Sequence, residues 1–261
     1  MSEQGPSHTF DAAWLHRRDQ RLRDDFGQRF DVAGIARWSN PDAPDLLDGN
    51  TAVVGPGEGL IPDQLIQVFD RQADEGVRRC IELYGPKDAR DTLCEKYGLV
   101  LDAPSPRVLY VWTSRPAPPP ATGDNRATPP VEPINRRDWV RVVTRLEGDA
   151  PRLRARAMAE AVSSRTAFYG IRIGESVVAA AARFDDGDGA ARLMSAWTDP
   201  DFRRTGFAGA CARRALAEAP VSRGYMVAPE SNTAIAALAR RFGAEVAAVD
   251  LARRWVSPPP D

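Results

Sequence analysis

The 261-residue sequence is poor in the side chains that most often bind metals or relay protons. Its two histidines, His8 and His16, both lie in the N-terminal stretch. Its three cysteines, Cys80, Cys94 and Cys211, form no Cys-x-x-Cys pair. Without a Cys/His cluster no dedicated metal site is expected, and an odd set of unpaired thiols reads as free cysteines in a reducing cytoplasm. No apolar run has the length of a signal-peptide core or a membrane span, so the expectation is a soluble cytoplasmic chain with no membrane partner. Lysine is nearly missing as well: beyond Lys87 and Lys96 every basic side chain is an arginine or histidine, a bias that fits a GC-rich bacterial genome. The formal net charge of -1 supplies no global field to hold a nucleic-acid backbone.

A 43% hydrophobic content is enough for a packed core, and the length suits one or two domains. The clearest boundary is the proline-rich run 115–130, expected to be a semi-rigid linker or else a proline-rich ligand for a partner domain. It separates an N-terminal helical arm (1–29) and a first half (30–114) from a second half (131–256), and residues 257–261 form a frayed tail. Before the linker, the pattern predicts a mixed-charge helix over 10–26 and a short strand at Asn50–Val54. Apolar residues at helical spacing follow over Gln64–Tyr84 (Leu65, Val68, Phe69, Val77, Ile81). A helix then ends at Leu93–Gly98, and a strand is expected at Arg107–Trp112.

After the linker, helices are expected at Arg136–Leu146 and Arg152–Arg165, and a hairpin at Phe168–Ile173 and Ser176–Phe184. Then come a strand at Ala191–Thr198, a helix at Gly206–Ala219, a strand at Gly224–Ala228, a helix at Thr233–Phe242 and a last strand at Glu245–Arg253. The fold class is therefore α/β (α+β), with a mixed sheet. Leu93-Cys-Glu-Lys-Tyr-Gly98 and Leu238-Ala-Arg-Arg-Phe-Gly243 share Leu-x-x-x-aromatic-Gly, and each ends a helix before a hydrophobic strand. Their matching order hints at a duplicated unit.

The informative segment runs from Leu193 to Leu216. An apolar strand stops at Pro200, the chain turns, and small residues open a helix whose first amides have no intrahelical partner. Small side chains at Gly206, Ala208 and Gly209 would let a pyrophosphate approach those amides, and Arg203 and Arg204 bring positive charge to the same place. The other reading is a small-residue helix start packed closely on a sheet. No Gly-x-x-x-x-Gly-Lys-Ser/Thr occurs, which excludes a P-loop. Gly55-Pro-Gly-Glu-Gly59 is expected to be a surface turn, since Pro62 interrupts the helix start that a dinucleotide fingerprint requires.

Arg203-Arg-Thr-Gly206-Phe-Ala208 resembles the Arg/Gln-x-x-Gly-x-Gly/Ala signature of the GNAT (GCN5-related N-acetyltransferase) superfamily. Pro229-Glu-Ser-Asn232, Ala236, Leu238 and Gly243 are similar to its second block. The resemblance covers about 131–256 and implies a mixed-sheet acyltransferase fold. The first half resembles the decayed N-terminal half of some two-part GNAT proteins. The resemblance further implies that acetyl-CoA or another acyl-CoA binds along Trp197, Thr198, Arg203, Arg204, Thr205, Gly206, Phe207, Ala208, Gly209 and Asn232. Pantetheine would lie between two splayed strands, and the Thr198 amide would polarise the thioester carbonyl.

The sequence departs from the pattern at the proton-transfer positions. Ala239 stands where many relatives carry a tyrosine, and strand 191–198 has Ser195 where a glutamate often serves. Ser195 and Glu230 are the candidate catalytic side chains beside Thr198, with Asp250 behind Glu230. Cys211 is either an acyl carrier or, with no histidine nearby, a structural thiol. Asp185–Gly189 is a hairpin turn, lacking the distal glutamate of a calcium loop. The arginines between Arg136 and Arg165 face an acidic acceptor, the CoA 3′-phosphate, or solvent. The functional expectation is acyl transfer from acyl-CoA to a small-molecule amine, by a monomer or homodimer; the alternative is a catalytically silent acyl-CoA-binding regulator.

Overall fold

The computed structural model describes residues 10–102, 105–114, 129–147, 151–187, 189–221 and 223–258. Residues 115–128 of the expected linker (115–130), Asp188 of the 185–189 turn and the end of the tail lie outside the described residues. Helix α1 (Ala12–Phe26) is started by Asp11, whose carboxylate accepts from Trp14 N at 2.8 Å. Strands β1 (Gln28–Val32), β2 (Ile35–Ser39) and β3 (Ala52–Val54) follow. Helix α2 (Pro62–Asp74) leads to β4 (Cys80–Tyr84), and α3 (Ala89–Lys96) leads to β5 (Val100–Leu101) and β6 (Arg107–Trp112). The second half has β7 (Val131–Pro133), α4 (Arg136–Glu147), α5 (Pro151–Val162), β8 (Thr166–Ile173), β9 (Ser176–Asp185) and β10 (Ala190–Thr198). It closes with α6 (Phe207–Ala217), β11 (Arg223–Pro229), α7 (Thr233–Arg241), β12 (Glu245–Val249) and β13 (Ala252–Val256).

Three sequence expectations fail here. Gln64–Tyr84 is not one helix: α2 ends at Asp74, and Gly76 (φ 67°) turns the chain into the fully buried strand β4. Five consecutive buried residues look alike under either period, so Ile81 fitted a helical spacing while lying in a strand. The last strand is likewise two strands. Asp250, at φ 57°, breaks Glu245–Arg253 between β12 and β13. Pro62 also opens α2 rather than interrupting it, because its missing N–H is not needed at the first helical position.

The strands form two sheets, ordered β1-β2-β3-β4-β13-β5 and β12-β6-β11-β10-β9-β8-β7. Each contains one parallel pair, β3 with β4 and β10 with β11. The two halves exchange their last strands. β6, from before the linker, is antiparallel to β11 and β12 in the second sheet, and β13 is antiparallel to β4 and β5 in the first. At the start of the β6–β11 register, Gly224 faces Trp112, and a Cβ at Gly224 would sit 2.1 Å from the indole. Only a glycine lets that ring lie flat on the strand.

The second sheet is covered on both faces. Ala180 and Ala182 of β9 pack with Trp139, Val143 and Ala157 of α4 and α5, while Ala179 and Ala181 pack on the other side with Cys211 and Leu216 of α6. The alanines let helices approach the central strand closely on either side. Among the described residues no helix is long and apolar enough to cross a membrane, and no cluster of three or more His, Cys, Asp or Glu is placed to hold a metal.

Candidate active site

The site begins where β10 and β11 part. Their parallel register holds only for Ala190–Arg192 against Arg223–Tyr225. Beyond it β11 continues along β6 as far as Pro229, and β10 continues along β9 as far as Thr198. Each strand follows its outer neighbour, so the two diverge around a cavity of about 410 Å³. Met194–Trp197 wall one side of it and Met226–Pro229 the other. A register shift between Leu193 and Ser195 marks a β-bulge in β10. The bulge re-aims the strand: Met194 packs with the α4–α5 side, and Ser195, next along, meets Glu160 on that same side. Asp199 N donates to Val178 O at 2.8 Å. By the alternation of an antiparallel pair, the Thr198 amide therefore points away from β9, towards the splay.

At the outer end of β10, a turn of 3₁₀ helix at Pro200–Phe202 leads into the loop before α6. Gly206 caps α6 in the left-handed region (φ 86°), with no side chain filling the cap and open space where a Cβ would stand. Ala210 N donates to Gly206 O at 3.0 Å, closing the first helical turn. The amides of residues 206–209 precede that closure and have no intrahelical acceptor. Arg204 is also left-handed (φ 69°), a conformation that costs a non-glycine residue of order 1–2 kcal/mol and turns the backbone tightly. Phe202 and Phe207 stack across the loop with centroids 6.2 Å apart, and Arg203, Arg204 and Thr205 are exposed. The result is an open, positively framed ring of backbone donors. The corresponding loop of the first half, between β3 and α2, is already filled: Gly55 N donates to the Glu58 carboxylate at 2.6 Å, and Arg90 Nη1 donates to Gly55 O and Glu58 O at 2.9 and 3.1 Å.

Glu160 of α5 projects a carboxylate into the cavity and is only 1% exposed. It accepts from Trp139 Nε1 and Arg156 Nε, both at 3.1 Å, and from Ser195 Oγ at 3.4 Å. Burial pushes its carboxyl above the usual range, outweighing the opposing pull of Arg156 and Trp139. A carboxyl raised in this way is a stronger proton acceptor than an ordinary carboxylate. No sequence motif marks it, because the arginines of α5 read as a solvated helix face. One signal was present: Leu153, Ala157, Glu160 and Ala161 share a stripe at helical spacing, which puts an acid on the apolar face.

The inner end of the cavity is a buried ion network. Glu82 of β4 accepts from Arg23 Nη2 and Arg107 Nη1, each at 2.6 Å, and from Arg254 Nη2 at 2.9 Å. Arg254 also pairs with Asp48, and Arg192 with Asp19. Tyr84 OH donates to Asp19 at 2.5 Å and accepts from Arg23 Nη2 at 3.1 Å. Burial opposes ionisation of Glu82, but Arg254, Arg107 and Arg23 together outweigh it and hold the carboxyl below the usual range. None of these residues carried a motif, because the cluster draws on α1, β4, β6, β10 and β13, far apart in the chain.

The cavity thus gathers Ser195, Trp197 and Asn232 from the expected site residues. Trp197 Nε1 is buried without a hydrogen-bond partner among the described residues. Asn232 caps α7, its Oδ1 accepting from Ile235 N at 3.1 Å, which leaves its amide N–H groups as donors. Glu230 is exposed in the turn after β11, outside the cavity lining, because Glu230 N is tied to Pro106 O at 2.7 Å. Asp250 faces Arg253 at 3.8 Å, also outside this cavity. Ala239 is fully buried in the core beneath α7. Burial pushes the Cys211 thiol up to about 12, which makes it a core side chain and a poor nucleophile.

Many solved structures share the fold of this chain. A GCN5-related N-acetyltransferase from Kribbella flavida superposes with a TM-score of 0.71 at 16% identity, over 95% of this chain and 96% of that one. One from Sphaerobacter thermophilus gives 0.59 at 15% identity, over 97% and 92%. A structure described as an acetyltransferase of the GNAT family from Novosphingobium aromaticivorans gives 0.58 at 15% identity, over 97% and 100%. No protein-family model and no curated protein matches the chain. The chain has the fold of the GCN5-related N-acetyltransferase superfamily, and the likeness spans both halves.

Proposed function

We propose that the protein is an acyl-CoA-dependent N-acyltransferase that moves an acyl group, most simply acetyl, to the amine of a small molecule. The observation that carries this reading is the divergence of β10 and β11 around a 410 Å³ cavity, with the open amide loop before α6 following the outer end of β10. The amides of residues 204–209, with Arg203 and Arg204, bind the pyrophosphate. Pantetheine lies in the splay beside Trp197, and Asn232 donates to it from the β11 side. The Thr198 amide bonds the thioester oxygen as charge develops on it. Glu160, with Ser195 beside it, accepts the proton of the attacking amine. Water carries a proton to the leaving thiolate, since the Ala239 methyl cannot. Alignment of amine and thioester supplies much of the rate. In this reading the first half is a vestigial copy that has lost its phosphate loop to Glu58 and now walls the cavity.

Acetyl-CoA at 100-fold over its dissociation constant should stabilise the chain by about 2.7 kcal/mol, read as a rise in melting temperature. Thiol release with a panel of amines should then report turnover. Gly206→Glu, which sets a carboxylate among the phosphate-binding amides, should abolish the shift. Stabilisation that survives this change would show the loop to be misread. A shift without turnover on any amine would favour the catalytically silent acyl-CoA binder.

A further inference from the structure

The arginines of the cavity are not all spent on their acidic neighbours. Arg192 stands on β10 at the last residue pair before the splay, with its side chain 12% exposed. Among the described residues only its Nη1 has a hydrogen-bond partner, and that partner, Asp19, is shared with Tyr84 OH. Nε and Nη2 of the same fork are left over on a residue that lines the cavity. Deeper in, Arg23 is 2% exposed and also lines the cavity; among the described residues its Nε and Nη1 have no hydrogen-bond partner. A guanidinium taken out of water strongly favours having its donors met, and the planar fork matches the two oxygens of a carboxylate in a bidentate pair. The bulge matters here. Three positions further along β10, Ser195 touches Glu160, so about 10 Å of strand separates the backbone positions of Arg192 and of the residue that meets the candidate base. A single small molecule spans that distance.

We propose that the acceptor is an amino acid in the broad sense, whose carboxylate is bound by the free side of the Arg192 fork while its amine is presented at Glu160. The assignment rests on the acyl-transfer reading above for the amine, but the carboxylate site is a binding claim that can be tested without turnover. Other basic side chains near the mouth fit the role less well. Arg145 is committed to Asp199 and to Val177 O, and Arg156 holds Glu160.

The test uses the full chain saturated with CoA. Glycine, β-alanine, γ-aminobutyrate and the common L-amino acids are each compared with their primary amides, by thermal shift and, with acetyl-CoA, by thiol release. The best acid should bind at least about tenfold more tightly than its amide, the scale of a charge-assisted hydrogen bond. Arg192→Lys keeps a cation for Asp19 but loses the second arm of the fork, and should move the acid-to-amide ratio towards one. The acetyl-CoA shift of that variant reports whether its fold is intact; if it is lost, the wild-type ratio decides alone. Equal binding of acid and amide, or no shift with any of the acids, would overturn the carboxylate site. Selective binding of acids without thiol release would leave that site standing and overturn the acyl-transfer reading instead. Turnover of acids and amides alike would do the reverse.

Discussion

Glu160 illustrates how a single buried charge is prepared for proton transfer. Its carboxylate is desolvated by α4 and α5, yet Trp139, Arg156 and Ser195 keep it hydrogen-bonded, so it ionises above the usual carboxylate range without being stranded. The sign follows directly. A base must be deprotonated to act, so turnover rises with pH through the raised Glu160 value and is lost below it. Because folding favours the protonated form, the residue's contribution to stability runs the other way and diminishes as pH climbs through the same value. Glu160→Gln should lower kcat by about 100-fold or more and remove the acidic limb of the kcat profile, while the acetyl-CoA thermal shift persists. A profile that keeps its acidic limb in that variant would assign the proton to another group. Tyr225 of β11 is no substitute: among the described residues its hydroxyl has no hydrogen-bond partner, and it packs near Trp14 outside the cavity lining.

Among the elements, the exchanged strand β6 depends on one small residue. Trp112 lies where any Cβ at Gly224 would have to be, so Gly224→Ala should destabilise by about 1–3 kcal/mol through overpacking. The cost should shrink in a Trp112→Leu background, and a double-mutant cycle on melting curves measures that coupling. Additive effects would mean that the ring relaxes freely and the close approach is not restrictive. Such long-range facts mark the limit of what local patterns can convey. Amphipathic α4, α6 and α7 were legible because apolar residues recur along them at a helical period, and β8 to β11 because turn residues such as Gly174 bound short apolar runs. The loop at residues 203–209 was legible because close approach of a backbone demands small residues at fixed positions. β1 and β2 escaped notice, since β1 is mostly exposed and β2 mixes Arg37 and Ser39 with Trp38. The division of 245–256 between two sheets escaped as well, because a break at one non-glycine residue, Asp250, has no compositional mark. Cavity residues such as Glu160 and Arg192 became visible only once separate elements met around them.

At the scale of the whole molecule, Glu82 joins what the strand exchange has interleaved. It sits on β4 and binds Arg254 of β13, the second half's strand in the first sheet, and Arg107 of β6, the first half's strand in the second sheet. Arg23 ties α1 to the same carboxylate. Neither sheet keeps its full complement of strands if the other half unfolds, so the two sheets should melt together in one transition despite the linker between them. Removing the central charge leaves Arg23, Arg107 and Arg254 facing one another with Asp19, Asp48 and Asp102 as their remaining acidic neighbours, and breaking a buried ion cluster on one side costs about 3–5 kcal/mol. Glu82→Gln should therefore lower the melting temperature by about 10 °C in a chain of this size while the transition remains single by calorimetry and by tryptophan fluorescence. The pH dependence carries the same signature. With Glu82 held below its ordinary range, its contribution is complete above the unfolded carboxylate value and is lost as pH falls towards the folded one. The wild type should lose stability in acid more steeply than the glutamine variant, so the two melting curves converge as pH drops. Two separate transitions in either protein, or parallel acid profiles, would show that the halves fold independently and that Glu82 does not link them.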